Sequence, residues 1–193
     1  MVDTEFQGRV ALVTGGSRGI GRAICERLAT GGARIAINYQ QAEDAARATL
    51  EVVNSSGTDG ILVQANVAEP KEVAEMVKKT EQDLGPIDLL VTNAGIAKVE
   101  PPDQLDYDSF KQMMSVNVDG TYLPLVSVTK GMRARGFGRI VCIASIAALR
   151  PRPAQAAYSA SKAAVIAFAR SLSVRTKSPG FIALCAPSVG LRF

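Results

Sequence analysis

The stretch Thr14-Gly15-Gly16-Ser17-Arg18-Gly19-Ile20-Gly21 decides how this chain is read. Before it lies Arg9-Val10-Ala11-Leu12-Val13, a short apolar run of the kind a buried parallel strand shows. After it comes Arg22 to Ala29, where Ala23, Ile24, Arg27 and Leu28 recur at helical spacing. A strand that runs through a glycine-rich turn into a helix is suited to hold an anion. Glycine lets the backbone reverse at positive φ and lets a ligand approach the main chain closely, and the helix aims its unpaired N–H groups and positive dipole end at that point. No Gly-Lys-Ser/Thr triplet is present, which excludes a P-loop, and the spacing Gly15-x-x-x-Gly19-x-Gly21 also departs from G-x-G-x-x-G. A loop whose glycines serve only its turns is the competing reading. The strand before it and the helix after it favour a nucleotide.

The bulk properties narrow the field. At 193 residues, with 47% hydrophobic and 21% charged residues, the chain suits one soluble domain with a substantial core. The longest nearly apolar run, Ile140 to Leu149, falls short of the about 20 residues that span a bilayer. Asp3 and Glu5 near the start argue against a signal peptide, so a cytoplasmic protein is expected. Cys25, Cys142 and Cys185 are scattered and odd in number, as suits free buried thiols in a reducing compartment. No histidine occurs, which argues against a zinc site, a Ser-His-Asp triad or any other metal role. The net charge of +4 hides an asymmetry: Met1 to Thr129 carries 11 basic and 18 acidic residues, whereas Lys130 to Phe193 carries 11 basic and none acidic. Solvated arginines around an anion-binding cleft explain this better than a nucleic-acid surface, since the basic residues form no tight run and aromatics are only 5%.

Strand and helix signals alternate from end to end. Arg34–Tyr39, Gly60–Gln64, Ile87–Val91, Arg139–Ala144 and Phe181–Cys185 read as further strands. Ala42–Asn54, Pro70–Leu84, Tyr107–Ala134 and Gln155–Val174 read as helices, the third broken by Gly136 and Gly138 and kinked at Pro124. A polar, proline-bearing loop spans Lys98 to Asp106. Alternating units predict right-handed crossovers and an α/β domain, a doubly wound parallel sheet of the Rossmann type with helices on both faces. Its ligand belongs at the carboxyl ends of the strands.

Those ends carry the residues with chemistry. Asn93-Ala94-Gly95 follows the fourth strand, Asn117 sits within the long helix, Ser145 ends the fifth strand, and Tyr158-Ser159-Ala160-Ser161-Lys162 begins the next helix. Four residues apart, Tyr158 and Lys162 share one helix face. Together with Thr14–Gly21, in this order, they resemble the short-chain dehydrogenase/reductase family in its classical branch, most closely its 3-oxoacyl-(acyl-carrier-protein) reductase-like members, over residues 8 to about 187.

The resemblance implies a site. Tyr158 would pass a proton to a ketone oxygen while a nicotinamide delivers hydride to its carbon; Ser145 would hydrogen-bond that oxygen. Lys162 would hold the nicotinamide ribose and, as a neighbouring cation, favour the phenolate of a residue type that ionises only near pH 10. Asn117 would support a water chain that returns the proton. The cofactor would meet Gly15, Ser17, Arg18, Gly19, Ile20, Gly21, Asn38, Tyr39, Asn66, Val67, Asn93, Ala94, Gly95 and Pro187. NAD-specific sites place a carboxylate at the end of the second strand, where this chain has Asn38 and then Tyr39. Arg18 in the glycine turn offers a guanidinium to a 2′-phosphate. Both features favour NADP, with NADPH preferred over NADH.

The match weakens at the end. Ser188 follows Pro187 where the family has Gly, Ala183 and Arg175 replace a usual Asn and acid, and Arg192 holds the position of a cofactor-contacting Thr. By the resemblance, the family's seventh strand and substrate-covering helices would fall after Phe193, and the sixth strand is expected to be an edge without them. The reading is therefore an NADPH-dependent reductase of a ketone, a 3-oxoacyl thioester or another small or carrier-bound carbonyl. The alternatives are a truncated protein that binds NADP and catalyses little, and a non-enzymatic binding module. A homodimer through the two long helices is expected. An acyl carrier protein is a candidate partner, docking on Lys130, Arg133 and Arg170.

Overall fold

The computed structural model describes residues 5–173 and the strand Phe181–Ser188. Six strands form one parallel sheet in the order β3-β2-β1-β4-β5-β6: β1 Val10–Val13, β2 Arg34–Tyr39, β3 Gly60–Gln64, β4 Leu89–Thr92, β5 Gly138–Ser145 and β6 Phe181–Ser188. Helices α1 Gly19–Thr30, α2 Glu43–Ser55, α3 Pro70–Leu84, α4 Tyr107–Met114, α5 Gly120–Ala134 and α6 Ala156–Ser173 connect them. The chain starts at β1, builds outward to β3, then crosses back to lay β4 on the other side of β1. That reversal opens a crevice at the carboxyl ends of β1 and β4, the place where open α/β sheets bind ligands.

Side-chain alternation along each strand feeds two cores. Val10 and Leu12 of β1, with Ala36, Leu90, Ile140 and Cys142, pack against Met76 of α3, Val128 and Met132 of α5 and Val165 of α6. Ala11 and Val13, with Ile35, Ile37 and Val91, pack against Cys25 and Ala29 of α1 and Val53 of α2. Burial pushes the Cys25 thiol up to about 12, so at neutral pH it behaves as a small apolar side chain. No helix among the described residues is long and apolar enough to cross a membrane.

Several boundaries differ from the sequence reading. β4 spans Leu89–Thr92, and Asp88 leads into it: the Asp88 N–H donates to the Val10 carbonyl at 2.9 Å and the Asp88 carbonyl accepts from Arg139 N–H at 2.9 Å. Gly138 opens β5 rather than breaking the helix, and a Cβ there would press on Met132 Sδ at 2.6 Å, so the strand can enter the sheet against α5 only without a side chain. The long helix is interrupted by a π turn at Ser115–Asp119, one turn ahead of Pro124. Pro124 itself sits inside α5 and lacks the N–H that would reach back to Gly120. β6 runs to Ser188, past the expected Cys185, and pairs Pro187 with Ala144 and Ser188 with Ser145. Arg175 and Arg192 lie outside the described residues.

Leu12 is fully buried in the central strand. Leu12→Ala is expected to cost about 2–5 kcal/mol, read as a lowered urea midpoint at unchanged slope.

Candidate active site

Polar side chains from neighbouring strands lock the glycine turn in place. Thr14 Oγ1 accepts from the main-chain N–H of Asn93 at 3.0 Å and of Ala94 at 3.1 Å. Asn93 Nδ2 answers by donating to the carbonyls of Thr14 and Gly15, both at 3.0 Å. From the other side, the Asn38 carbonyl accepts from Gly16 N–H at 2.9 Å and its Oδ1 accepts from Gly15 N–H at 3.1 Å. Gly15 adopts φ +62°, and a Cβ on it would lie 2.9 Å from Ala94 Cα. A Cβ on Gly21 would collide with the Gly15 carbonyl oxygen. These two glycines therefore permit the close approach of turn, helix and β4. Helix α1 starts with no side-chain cap and no acidic residue in its first turn, which leaves its first N–H groups without an intrahelical partner.

A cleft of about 480 Å³ opens beside this turn. Gly15, Ile20 and Asn93–Gly95 form one wall; Ser145, Tyr158 and Lys162 form the other. Ser145 is the last residue of β5, and its Oγ caps the following 3-10 turn by accepting from Ala147 N–H at 3.2 Å. That bond uses an acceptor site and leaves the hydroxyl hydrogen to donate. Lys162 is buried, 5% exposed, and its Nζ donates to the Ile143 carbonyl at 2.9 Å. A Cβ on Gly95 would sit 3.4 Å from Lys162 Nζ and 3.1 Å from Asn117 Oδ1, so the two polar groups flank the same point of the chain.

Asn117 occupies the π turn and does not line the cleft. Its Oδ1 accepts from Ile96 N–H at 2.8 Å; its Nδ2 donates to the Ile96 carbonyl at 2.9 Å and to Ser161 Oγ at 2.9 Å. Ser161 in turn donates to the Tyr158 carbonyl at 2.8 Å. The amide thus ties the loop after β4 to the helix that carries Tyr158 and Lys162. The sequence reading missed Ser161, although a hydroxyl three residues after Tyr158 is placed to bond back to that turn. It named Thr14 only as the start of the glycine stretch, with no role for its hydroxyl, and it left out Ile96, Arg152 and Gln155, which join the cleft wall.

The remaining expected residues whose side chains are described do not line this cleft. Asn38 is buried, 2% exposed, and its Nδ2 donates to the carbonyls of Ala65 at 3.0 Å and Val63 at 3.3 Å. The amide expected at a ribose is spent inside the protein. Tyr39 and Val67 are also buried, and Asn66 Oδ1 accepts from Ala68 N–H at 3.1 Å. Ser17 is buried while Arg18 and Gly19 are exposed at the start of α1, and among the described residues Arg18 makes no ion pair. Pro187 is placed by its main chain alone, at the end of β6.

Comparison with known proteins agrees with this geometry. Residues 9–188 match the family model described as short chain dehydrogenase. A 3-oxoacyl-[acyl-carrier-protein] reductase of Synechocystis is 38% identical over 189 residues, covering 93% of this chain and 76% of the relative. An NADPH-dependent aldehyde reductase-like chloroplastic protein of Arabidopsis thaliana is 39% identical over 190 residues, covering 92% of this chain and 70% of its own. Among solved structures, an NAD+-bound xylitol dehydrogenase superposes with a TM-score of 0.90 at 30% identity, covering 95% of this chain and 70% of that one. A short-chain alcohol dehydrogenase structure from Sinorhizobium meliloti 1021 gives a TM-score of 0.91 at 26% identity, covering 96% and 73%. The chain spans about three quarters of the length of such relatives. It belongs to the short-chain dehydrogenase family of oxidoreductases.

Proposed function

We propose that the protein reduces a carbonyl compound to a secondary alcohol with NADPH, Tyr158 serving as proton donor. The observation that carries this reading is the joining of Ser145, Tyr158 and Lys162 with Gly15 and Asn93–Gly95 around one cleft. The residues fit a dinucleotide: the cradle at Gly15 and Gly21 has no room for a Cβ, and α1 offers uncapped N–H groups to a pyrophosphate. Gly15, Ser17, Gly19, Ile20 and Gly21 would hold it, with Asn93–Gly95 and Pro187 near the nicotinamide and Tyr39, Asn66 and Val67 towards the adenosine. Bound there, the cofactor supplies hydride.

The chain's own groups do the rest. Ser145 donates its free hydroxyl hydrogen to the carbonyl oxygen, and Tyr158 delivers a proton to that same oxygen as charge develops on it. Lys162, anchored on the Ile143 carbonyl, would turn its ammonium towards the cofactor ribose and brings a cation to the helix face it shares with the phenol. Asn117 acts as a positioning residue through Ile96 and Ser161. A water relay at Asn117 would begin at its main-chain carbonyl, which accepts from Thr121 Oγ1 at 2.8 Å.

For cofactor choice, Arg18 supports NADP, as does the lack of a carboxylate at the end of β2, where Tyr39 is followed by Gln40 and Gln41. Buried Asn38 takes no part in it. A 3-oxoacyl thioester is the favoured substrate on the strength of the Synechocystis relative, with Lys130 and Arg133 on α5 and Arg170 on α6 as the carrier-protein face. A homodimer would form through α5 and α6, where Tyr122 and Val126 are exposed and Tyr122 leans on Phe168 with ring centroids 5.6 Å apart.

Tyr158→Phe is expected to lower kcat by about 10²–10⁴-fold while NADPH still quenches protein fluorescence with similar affinity. Equal turnover would remove the proposed acid. Arg18→Ala should weaken NADPH about tenfold or more and leave NADH nearly unchanged, by parallel titrations. Sedimentation is expected to find a dimer that Val126→Arg converts to monomer; an unshifted dimer would place the interface elsewhere.

A further inference from the structure

The substrate end of the cleft is asymmetric in charge. Ile96, Ala97, Ile146 and Ala147 give it apolar walls, and the side chains that could bind a polar substituent beyond the carbonyl are Gln155 and Arg152. No carboxylate lines the cleft among the described residues, and Lys162 is committed to the Ile143 carbonyl. Arg152 therefore adds a permanent, exposed positive charge to a cleft whose wall on that side carries Ile96, Ala97, Ile146 and Ala147. Among the described residues it makes no ion pair. Glu100 is the acid on the strap that crosses here, its N–H bonded to the Ala154 carbonyl at 2.8 Å, but its carboxylate faces Lys98 at 2.9 Å. Lys98 holds the Glu100 carboxyl below the usual carboxylate range.

The backbone around Arg152 is constrained. Pro151 and Pro153 flank it, the Arg152 carbonyl accepts from Gln155 N–H at 3.3 Å, and Ala154 sits at φ +59°. A guanidinium on a stiff loop is a pre-organised receptor for a planar or tetrahedral oxyanion. Single-sign charge over low-dielectric walls also concentrates anions at the entrance.

We infer that Arg152 is a specificity-determining residue that selects carbonyl compounds bearing an anionic oxygen group, a carboxylate or a phosphate ester, beyond the reacting carbon. The inference rests on the proposed carbonyl-reducing site, but its test reads binding and needs no turnover. Two matched pairs are titrated calorimetrically into the NADP-loaded protein. The first is a keto acid with a terminal carboxylate against its carboxamide. The second is a 3-oxoacyl thioester of phosphopantetheine against that of pantetheine.

The anionic member of at least one pair is expected to bind about tenfold tighter or better. Arg152→Gln should abolish that preference, Arg152→Lys should keep part of it, and added salt should weaken it. The pair that shows the effect identifies the anion. Equal binding within both pairs, no binding of any member, or a preference that survives Arg152→Gln would overturn the assignment. Preferential binding of the anion, with no oxidation of NADPH when the same compound is supplied to the NADPH-loaded protein, would leave Arg152 as the selector and count against the reductase reading instead.

Discussion

The structure depends on one exchange of hydrogen bonds, between Thr14 at the end of β1 and Asn93 at the end of β4. β1 and β4 are sequence-distant strands that pair only because the chain reverses direction across the sheet. At their carboxyl ends the ladder runs out, and polar main-chain groups there would be left without partners. Thr14 Oγ1 and Asn93 Nδ2 satisfy four of them across the gap. In doing so they hold the glycine turn against the loop that begins at Ala94. The crevice between β1 and β4 is thereby kept open above and closed below, which is what a dinucleotide site requires.

The catalytic side is built on the same plan. The π turn at Ser115–Asp119 widens the helix and sets Asn117 where its amide can bond both Ile96 and Ser161. Ser161 passes the restraint to the Tyr158 carbonyl, and Lys162 is fixed on β5 through the Ile143 carbonyl. Buried amide and hydroxyl groups are costly unless satisfied, and satisfied networks of this kind make an arrangement rigid. Among the described residues Tyr158 and Ser145 keep their own hydroxyl hydrogens uncommitted, on a frame braced by the bonds of Asn117, Ser161 and Lys162.

Much of this was legible in the sequence because its punctuation is physical. Pro70 at the start of α3, and Gly85 at φ +98° and Gly136 at φ +69° past the ends of α3 and α5, stand where their backbone preferences put them, and β2 and β3 have the predicted limits. The order of the strand ends, combined with Tyr158 and Lys162 on one helix face, was enough to locate the cleft. Other features needed tertiary contacts. An asparagine at the end of β2 could face a ligand or brace the turn; Asn38 braces it, because β3 presents the Val63 and Ala65 carbonyls to its Nδ2. The π turn has no local signature, since nothing in Ser-Val-Asn-Val-Asp differs from ordinary helix. Gly138 reads as a breaker until Met132 is seen against it. Arg152 enters the site only because the loop after β5 folds back over the cleft.

The central claim is that this cleft transfers hydride to a carbonyl carbon, and an isotope measures that most directly. NADPH carrying deuterium at nicotinamide C4 would be incubated with the protein and a 3-oxoacyl thioester, and the product analysed by mass spectrometry. With the label on the transferred face, the account predicts one deuterium on the carbinol carbon of the alcohol. Labelled cofactor that is bound but never oxidised, or alcohol formed with no label from either face, would contradict it.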